Sequence, residues 1–131
     1  MASALPIRAE RTLDMHPDEA DAFWVKMYRT PTTATIASGI LTTTGWGYYA
    51  VETQGAAATD DLDRINGVPE GEEILLCLFN AAHRVTLKHG TFLKLPDGLD
   101  FELQGPFDNI TLKSKGGDVL FAIGLPVRIP S

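Results

Sequence analysis

Cys77, His83 and His89 are the side chains best equipped by type for nucleophilic, metal or proton chemistry. Cys77 sits inside the apolar run Ile74-Leu75-Leu76-Cys77-Leu78-Phe79, where burial disfavours the thiolate, so it reads as a small core hydrophobe. His83 and His89 flank one short alternating segment at an even spacing of six, which puts both on the same face of a strand. Two ligands there would begin a metal site, but no third and fourth ligand stands beside them at zinc-like spacing. The run Asp60-Asp61-Leu62-Asp63 with Asn66 and Gly67 does not match the alternate-oxygen spacing of a calcium loop, and reads as a solvated acidic turn. There is no Gly-x-Ser-x-Gly elbow, no Gly-rich phosphate loop and no His-Glu-x-x-His pair. The expectation is a protein without an active site, a metal or a cofactor.

Aromatic residues offer contact rather than reaction. Phe23 and Met27, and Trp24 and Tyr28, recur at i, i+4 and define one face of a short helix. Trp46, Tyr48 and Tyr49 cluster in a stretch, 30–59, whose only charged residue is Glu52. An uncharged aromatic-bearing stretch is either a sheet face covered by its own chain or a subunit contact, since interface cores are depleted of charge and enriched in aromatics. Flat rings exposed there would also stack on sugars.

The whole chain of 131 residues carries 11 Lys+Arg against 17 Asp+Glu, a net charge of −6. Positions 60–73 alone hold six acids and one base, so nearly all the excess lies in one segment. With 44% hydrophobic residues and no Lys/Arg-rich run, the composition excludes a disordered tail and argues against nucleic acid or an anionic membrane as partner. A single cysteine closes no intrachain disulfide. Neither an 18-residue apolar stretch nor a basic region followed by an apolar core is present.

The elements follow from local pattern. Residues 1–13 read as an arm. A helix is predicted over 17–28, where Pro17 suits the first turn, Asp18, Glu19 and Asp21 favour its N-terminal end, and Lys26 and Arg29 lie at the other. Thr30-Pro31 ends it. From there on, short segments rich in Thr, Val, Ile, Leu and Tyr alternate with Gly, Asn and Pro-Asp-Gly turns at 8 to 12 residue spacing. Segments such as Arg84-Val85-Thr86-Leu87-Lys88 alternate cleanly, while 73–79 and 119–123 are continuous apolar runs suited to central strands. Thr86-Leu87-Lys88 echoes Thr111-Leu112-Lys113 at a distance of 25, and two copies are too few to predict a solenoid. The predicted fold is mainly β: an antiparallel sandwich or barrel over 31–131, preceded by an N-terminal arm and short helix over 1–30.

The order of segments from Asp60-Asp61-Leu62-Asp63-Arg64-Ile65-Asn66-Gly67 through Gly71-Glu72-Glu73-Ile74, Asn80-Ala81-Ala82-His83-Arg84-Val85-Thr86-Leu87-Lys88-His89-Gly90-Thr91, Leu95-Pro96-Asp97-Gly98-Leu99-Asp100-Phe101 and Asn109-Ile110-Thr111-Leu112 resembles the small β-domains of tailed-bacteriophage virion proteins. The resemblance covers about residues 40 to 124. It implies a head-decoration, head-fibre or tail-fibre protein, commonly a homotrimer on the particle exterior, whose partner is the major capsid protein or another virion protein. On that footing Phe23, Trp24 and Tyr28 are expected to dock on the shell, and Trp46, Tyr48 and Tyr49 to form the subunit contact. The alternative is a tail-fibre or spike module that binds host glycans through Trp46, Tyr48 and Tyr49.

Overall fold

In the computed structural model, residues 30–130 are described. The predicted arm and helix, and with them Phe23, Trp24 and Tyr28, lie outside the described residues. The described chain is mainly β, with eleven short strands: β1 (Thr32–Thr35), β2 (Ile40–Thr42), β3 (Gly47–Glu52), β4 (Thr59–Leu62), β5 (Arg64–Asn66), β6 (Glu73–Leu78), β7 (Arg84–Leu87), β8 (Leu93–Lys94), β9 (Phe101–Leu103), β10 (Asn109–Gly116) and β11 (Val119–Ala122). Six form one sheet in the order β1-β3-β6-β10-β11-β8, three form a second in the order β4-β7-β9, and β2 pairs with β5.

The pairing differs from the antiparallel expectation. β1 with β3, β3 with β6, β2 with β5, β4 with β7, and β8 with β11 are all parallel. Only β6 with β10, β10 with β11, and β7 with β9 are antiparallel. Parallel neighbours recur one coil later: Ile40 lies beside Arg64, Thr59 beside Arg84, and Gly47 beside Ile74, offsets of 24, 25 and 27. The arrangement is solenoid-like. Short strands at even spacing with glycine turns suit a coil as well as a hairpin series, because each turn need only redirect the chain to the next side. Hairpin pairing would bring sequence neighbours together, whereas here strands from successive coils stack. The 25-residue echo has the length of a coil, but its two copies fall on β7 and β10, which occupy different sheets.

The core lies between the sheets. Alternate residues of each strand point inward: Tyr49 and Val51 from β3, Ile74, Leu76 and Leu78 from β6, Ile110 and Leu112 from β10, with Leu41, Leu62, Ile65, Val85, Leu87, Leu103 and Leu120 from the rest. Most are completely buried, each contributing about 1.5–3 kcal/mol relative to exposure. Leu75 and Cys77 of β6 take the opposite, outward side, so the continuous apolar run serves both faces of its sheet. Gly67, just after β5, has φ +95°, and a Cβ there would meet the carbonyl of Thr43. That tight approach is held by Asn66 O, which accepts from both Thr43 N (2.9 Å) and Thr43 Oγ1 (2.9 Å).

The run Asp60-Asp61-Leu62-Asp63 with Asn66, expected to be a solvated acidic turn, instead falls on β4 and β5, with Asp63 between the two strands. Leu62 and Ile65 are fully buried and anchor β4 and β5, while Asp61 and Asp63 stay exposed. Asp61 stands in register with Thr86 and Glu102 on the outer face of β4-β7-β9. The alternation of acid with Leu and Ile was a strand signal that the density of charge concealed.

Candidate functional site

The outward face of β3, β6 and β10 is flanked by the chain's last segment. After β11 the chain turns back so that Val127 and Asn109 bond each other's backbone, N to O at 2.9 and 2.8 Å. A buried carboxylate secures this return. Asp108 is 1% exposed and accepts from the backbone N–H groups of Gln104 (2.9 Å), Gly105 (3.3 Å) and Ile129 (3.1 Å). Arg128 Nη1 donates to the same carboxylate at 3.2 Å, and Arg128 Nη2 donates to Glu102 O at 2.9 Å. The guanidinium also lies over the ring of Phe101, 5.0 Å from its centre. One acid thus closes the turn at 104–108 and fastens the tail to it.

The fastened tail presents apolar surface. Leu125, Val127 and Ile129, at alternate positions, are 79%, 41% and 45% exposed, and Phe107 is 56% exposed. Ile129 and Phe107 line a shallow cavity of about 290 Å³ together with Tyr48, Leu75, Cys77 and Asn109 of the sheet face. Within it Tyr48 lies beside Cys77, whose Sγ donates to Tyr49 O at 3.6 Å. The neighbouring thiol, with burial second, pushes the Tyr48 pKa up to about 12. Burial also pushes the Cys77 thiol up, against the opposing influence of Tyr48. Both groups stay protonated and neutral at ordinary pH, so the cavity offers contact rather than a nucleophile.

The three aromatics of the expected subunit contact divide. Tyr48 faces outward, half-buried, in the cavity described above. Trp46 is half-buried, and its backbone N–H donates to Glu72 Oε1 at 3.3 Å. Tyr49 is a correction: it is 3% exposed and belongs to the chain's own core. Its hydroxyl donates to Gly45 O at 2.9 Å and accepts from Thr44 N at 3.2 Å, which fixes the turn before β3. Strand alternation forces this outcome, because adjacent Tyr48 and Tyr49 must face opposite sides.

The two histidines serve separate local roles. His83 Nδ1 contacts Glu52 at 2.9 and 3.1 Å, joining the end of β3 to the start of β7. Burial works to raise the Glu52 pKa, but hydrogen bonds from Thr53 N–H and His83, with the attraction of His83, outweigh it and hold the carboxyl below its ordinary value. His89 Nδ1 accepts from Leu95 N at 3.0 Å, closing the segment that contains β8. Among the described residues no group of three or more His, Cys, Asp and Glu side chains is placed to hold a metal ion.

Phe107, Asp108, Arg128 and the apolar tail were not singled out from sequence. A signal existed in Leu125-Pro126-Val127-Arg128-Ile129-Pro130, which alternates apolar residues with residues that do not continue a helix. No family model, no curated protein and no solved structure matches the chain.

Proposed function

We propose that the chain is a non-enzymatic structural protein of a tailed-phage virion: a homotrimeric decoration protein on the exterior of the head, bound to the major capsid protein or a neighbouring virion protein. The observation that carries this is the tail. A nearly inaccessible carboxylate is used to hold Leu125, Val127 and Ile129 outward beside Phe107, an arrangement suited to burial against another subunit and unfavourable in contact with water. Tyr48 and Leu75 extend the same uncharged surface across the sheet. The resemblance of residues 40 to 124 to virion β-domains supplies the setting. Three such contacts around an axis, on a repeating shell, would give avidity from modest individual contacts.

Light scattering on the full chain tests this. The expected mass is that of three chains, and Val127→Asp with Ile129→Asp should reduce it to one. A monomer at about 10 μM would overturn the homotrimer, because avidity on the shell needs three chains already linked to one another. Replacing Phe23, Trp24 and Tyr28 by Ala should leave the trimer intact and abolish attachment to shells; normal attachment would remove the docking role.

A further inference from the structure

At the opposite end of the six-stranded sheet, the outward face gathers lysines around apolar side chains. Lys94 of β8 stands in register with Phe121 of β11, and Phe121 with Lys113 of β10. Between Ser114 and Gly116 the β10 ladder bulges, leaving Lys115 without a cross-strand partner next to the Gly116 and Val119 pair. Lys94, Lys115, Val119 and Phe121 line a cavity of about 540 Å³. It is a hollow open to solvent, with a mostly apolar floor.

The charges here are unbalanced in a chain of net −6. Arg64, Lys88 and Arg128 are paired with Asp118, Asp100 and Asp108 at 2.8, 2.9 and 3.2 Å. Lys113 lies 4.0 Å from Glu73. Among the described residues, Lys94 and Lys115 have no ion pair or hydrogen bond; Glu70 lies against Gly116 and pairs with neither. A lysine on the edge strand β8 would by itself serve to discourage edge pairing. Lys115 is on the interior strand β10, where that service is not needed, and it meets Lys94 across an apolar floor.

We infer that this hollow binds an acidic polypeptide segment of another protein, with an apolar side chain seated on Val119 and Phe121 and flanking carboxylates reaching Lys94 and Lys115. Lysine presents a point charge on a flexible stem, without the planar fork that favours phosphate. Val119 and Phe121 make the floor apolar, which gives a bare anion little to contact. A carboxylate-bearing side chain next to Leu or Phe satisfies both parts. This surface is separate from the tail and does not depend on the oligomer proposed above.

Dye-labelled synthetic peptides alternating Glu with Leu and Phe are the probe, followed by fluorescence anisotropy against the full-length protein at low salt. Because the chain as a whole repels acidic peptides, binding reports the local patch. Lys94→Glu with Lys115→Glu should weaken it at least about tenfold, Val119→Ser with Phe121→Ser similarly, and added salt should weaken it steadily. Lys88→Gln, just beyond β7 and away from the hollow, should leave it unchanged, and urea unfolding should show the Lys94/Lys115 variant as stable as the parent. Equal binding by the lysine variant overturns the inference, as does equal binding of a Glu/Ser peptide, which would reduce the site to its field. Binding of phosphatidylglycerol vesicles or a sulfated dextran in place of the peptide overturns it too, as does lysine-dependent self-association with no peptide bound.

Discussion

Replacing Asp108 by Ala removes the acceptor that three backbone N–H groups and one guanidinium share. The loss is smaller than four charged hydrogen bonds would suggest. Once the tail lifts, water reaches the Ile129 amide and Arg128, whose side chain is already 44% exposed. Gln104 and Gly105 stay in the turn and lose a charged partner, at about 1.5 kcal/mol each, for a total near 3 kcal/mol. Asp108→Asn keeps one acceptor oxygen and should cost about half as much, and Arg128→Ala under about 1 kcal/mol. Urea unfolding at neutral pH measures the global loss. Hydrogen exchange at the Val127 amide, which donates to Asn109 O at 2.8 Å, reports the tail directly. Its protection should fall in the Ala variant, because Ile129 and Arg128 lose the carboxylate that fastens them to the turn. A loss under about 0.5 kcal/mol with Val127 still protected would refute the idea that Asp108 holds the tail in place.

Gly67→Ala should destabilise by at least about 2 kcal/mol, because both φ +95° and the Thr43 carbonyl oppose a Cβ; Gly55→Ala, at φ +64° with open space around it, should cost about 1 kcal/mol. Equal losses in urea would discount the Thr43 contact. Phenolate absorbance should show one tyrosine ionising only near pH 12, and Cys77→Ala should bring it toward 10. Since that folded value lies above the unfolded one, the associated stability is whole below pH 10 and is lost toward 12. Glu52 has the opposite sign: its folded carboxyl lies below 4.5, so its contribution is present above that pH and disappears as acid protonates it. Glu52→Gln should flatten this acid limb of urea midpoints measured from about pH 6 to 3, and an unchanged limb would remove Glu52, with its Thr53 and His83 contacts, as its source.

The β character, the turn positions and most inward residues were legible because alternation and glycine placement are local. Val85 and Leu87, or Ile110 and Leu112, face the core as their spacing demands. Pairing direction was not legible. A strand such as β4 does not record in its own residues whether its neighbour is Arg84–Leu87 running parallel or a hairpin partner running back. Coils that share a cross-section without sharing residues, Asp61-Leu62-Asp63 above Thr86-Leu87-Lys88, hide the repeat from inspection of the sequence. Tyr48 and Tyr49 show the same limit at one site: composition marked the stretch as contact-forming, and only the strand phase separated the outward ring from the buried one. Asp108 was obscure for a different reason, since its partners come from residues 104–105 and 128–129 and meet only when the tail folds back.

The reversal of β10 against β6 has a consequence for how such a chain can change length. Upstream, β3 and β6 run the same way, and so do β4 and β7, so a whole coil of about 25 residues inserted between them would find matching neighbours above and below. Downstream, β10 runs against β6 and occupies the edge a further coil would need. The molecule therefore has one end that tolerates duplication and one that is sealed. Growth by repetition would lengthen the stack and leave β10 unchanged, with the Asp108-held tail beside its start and the lysine-lined hollow beside its end.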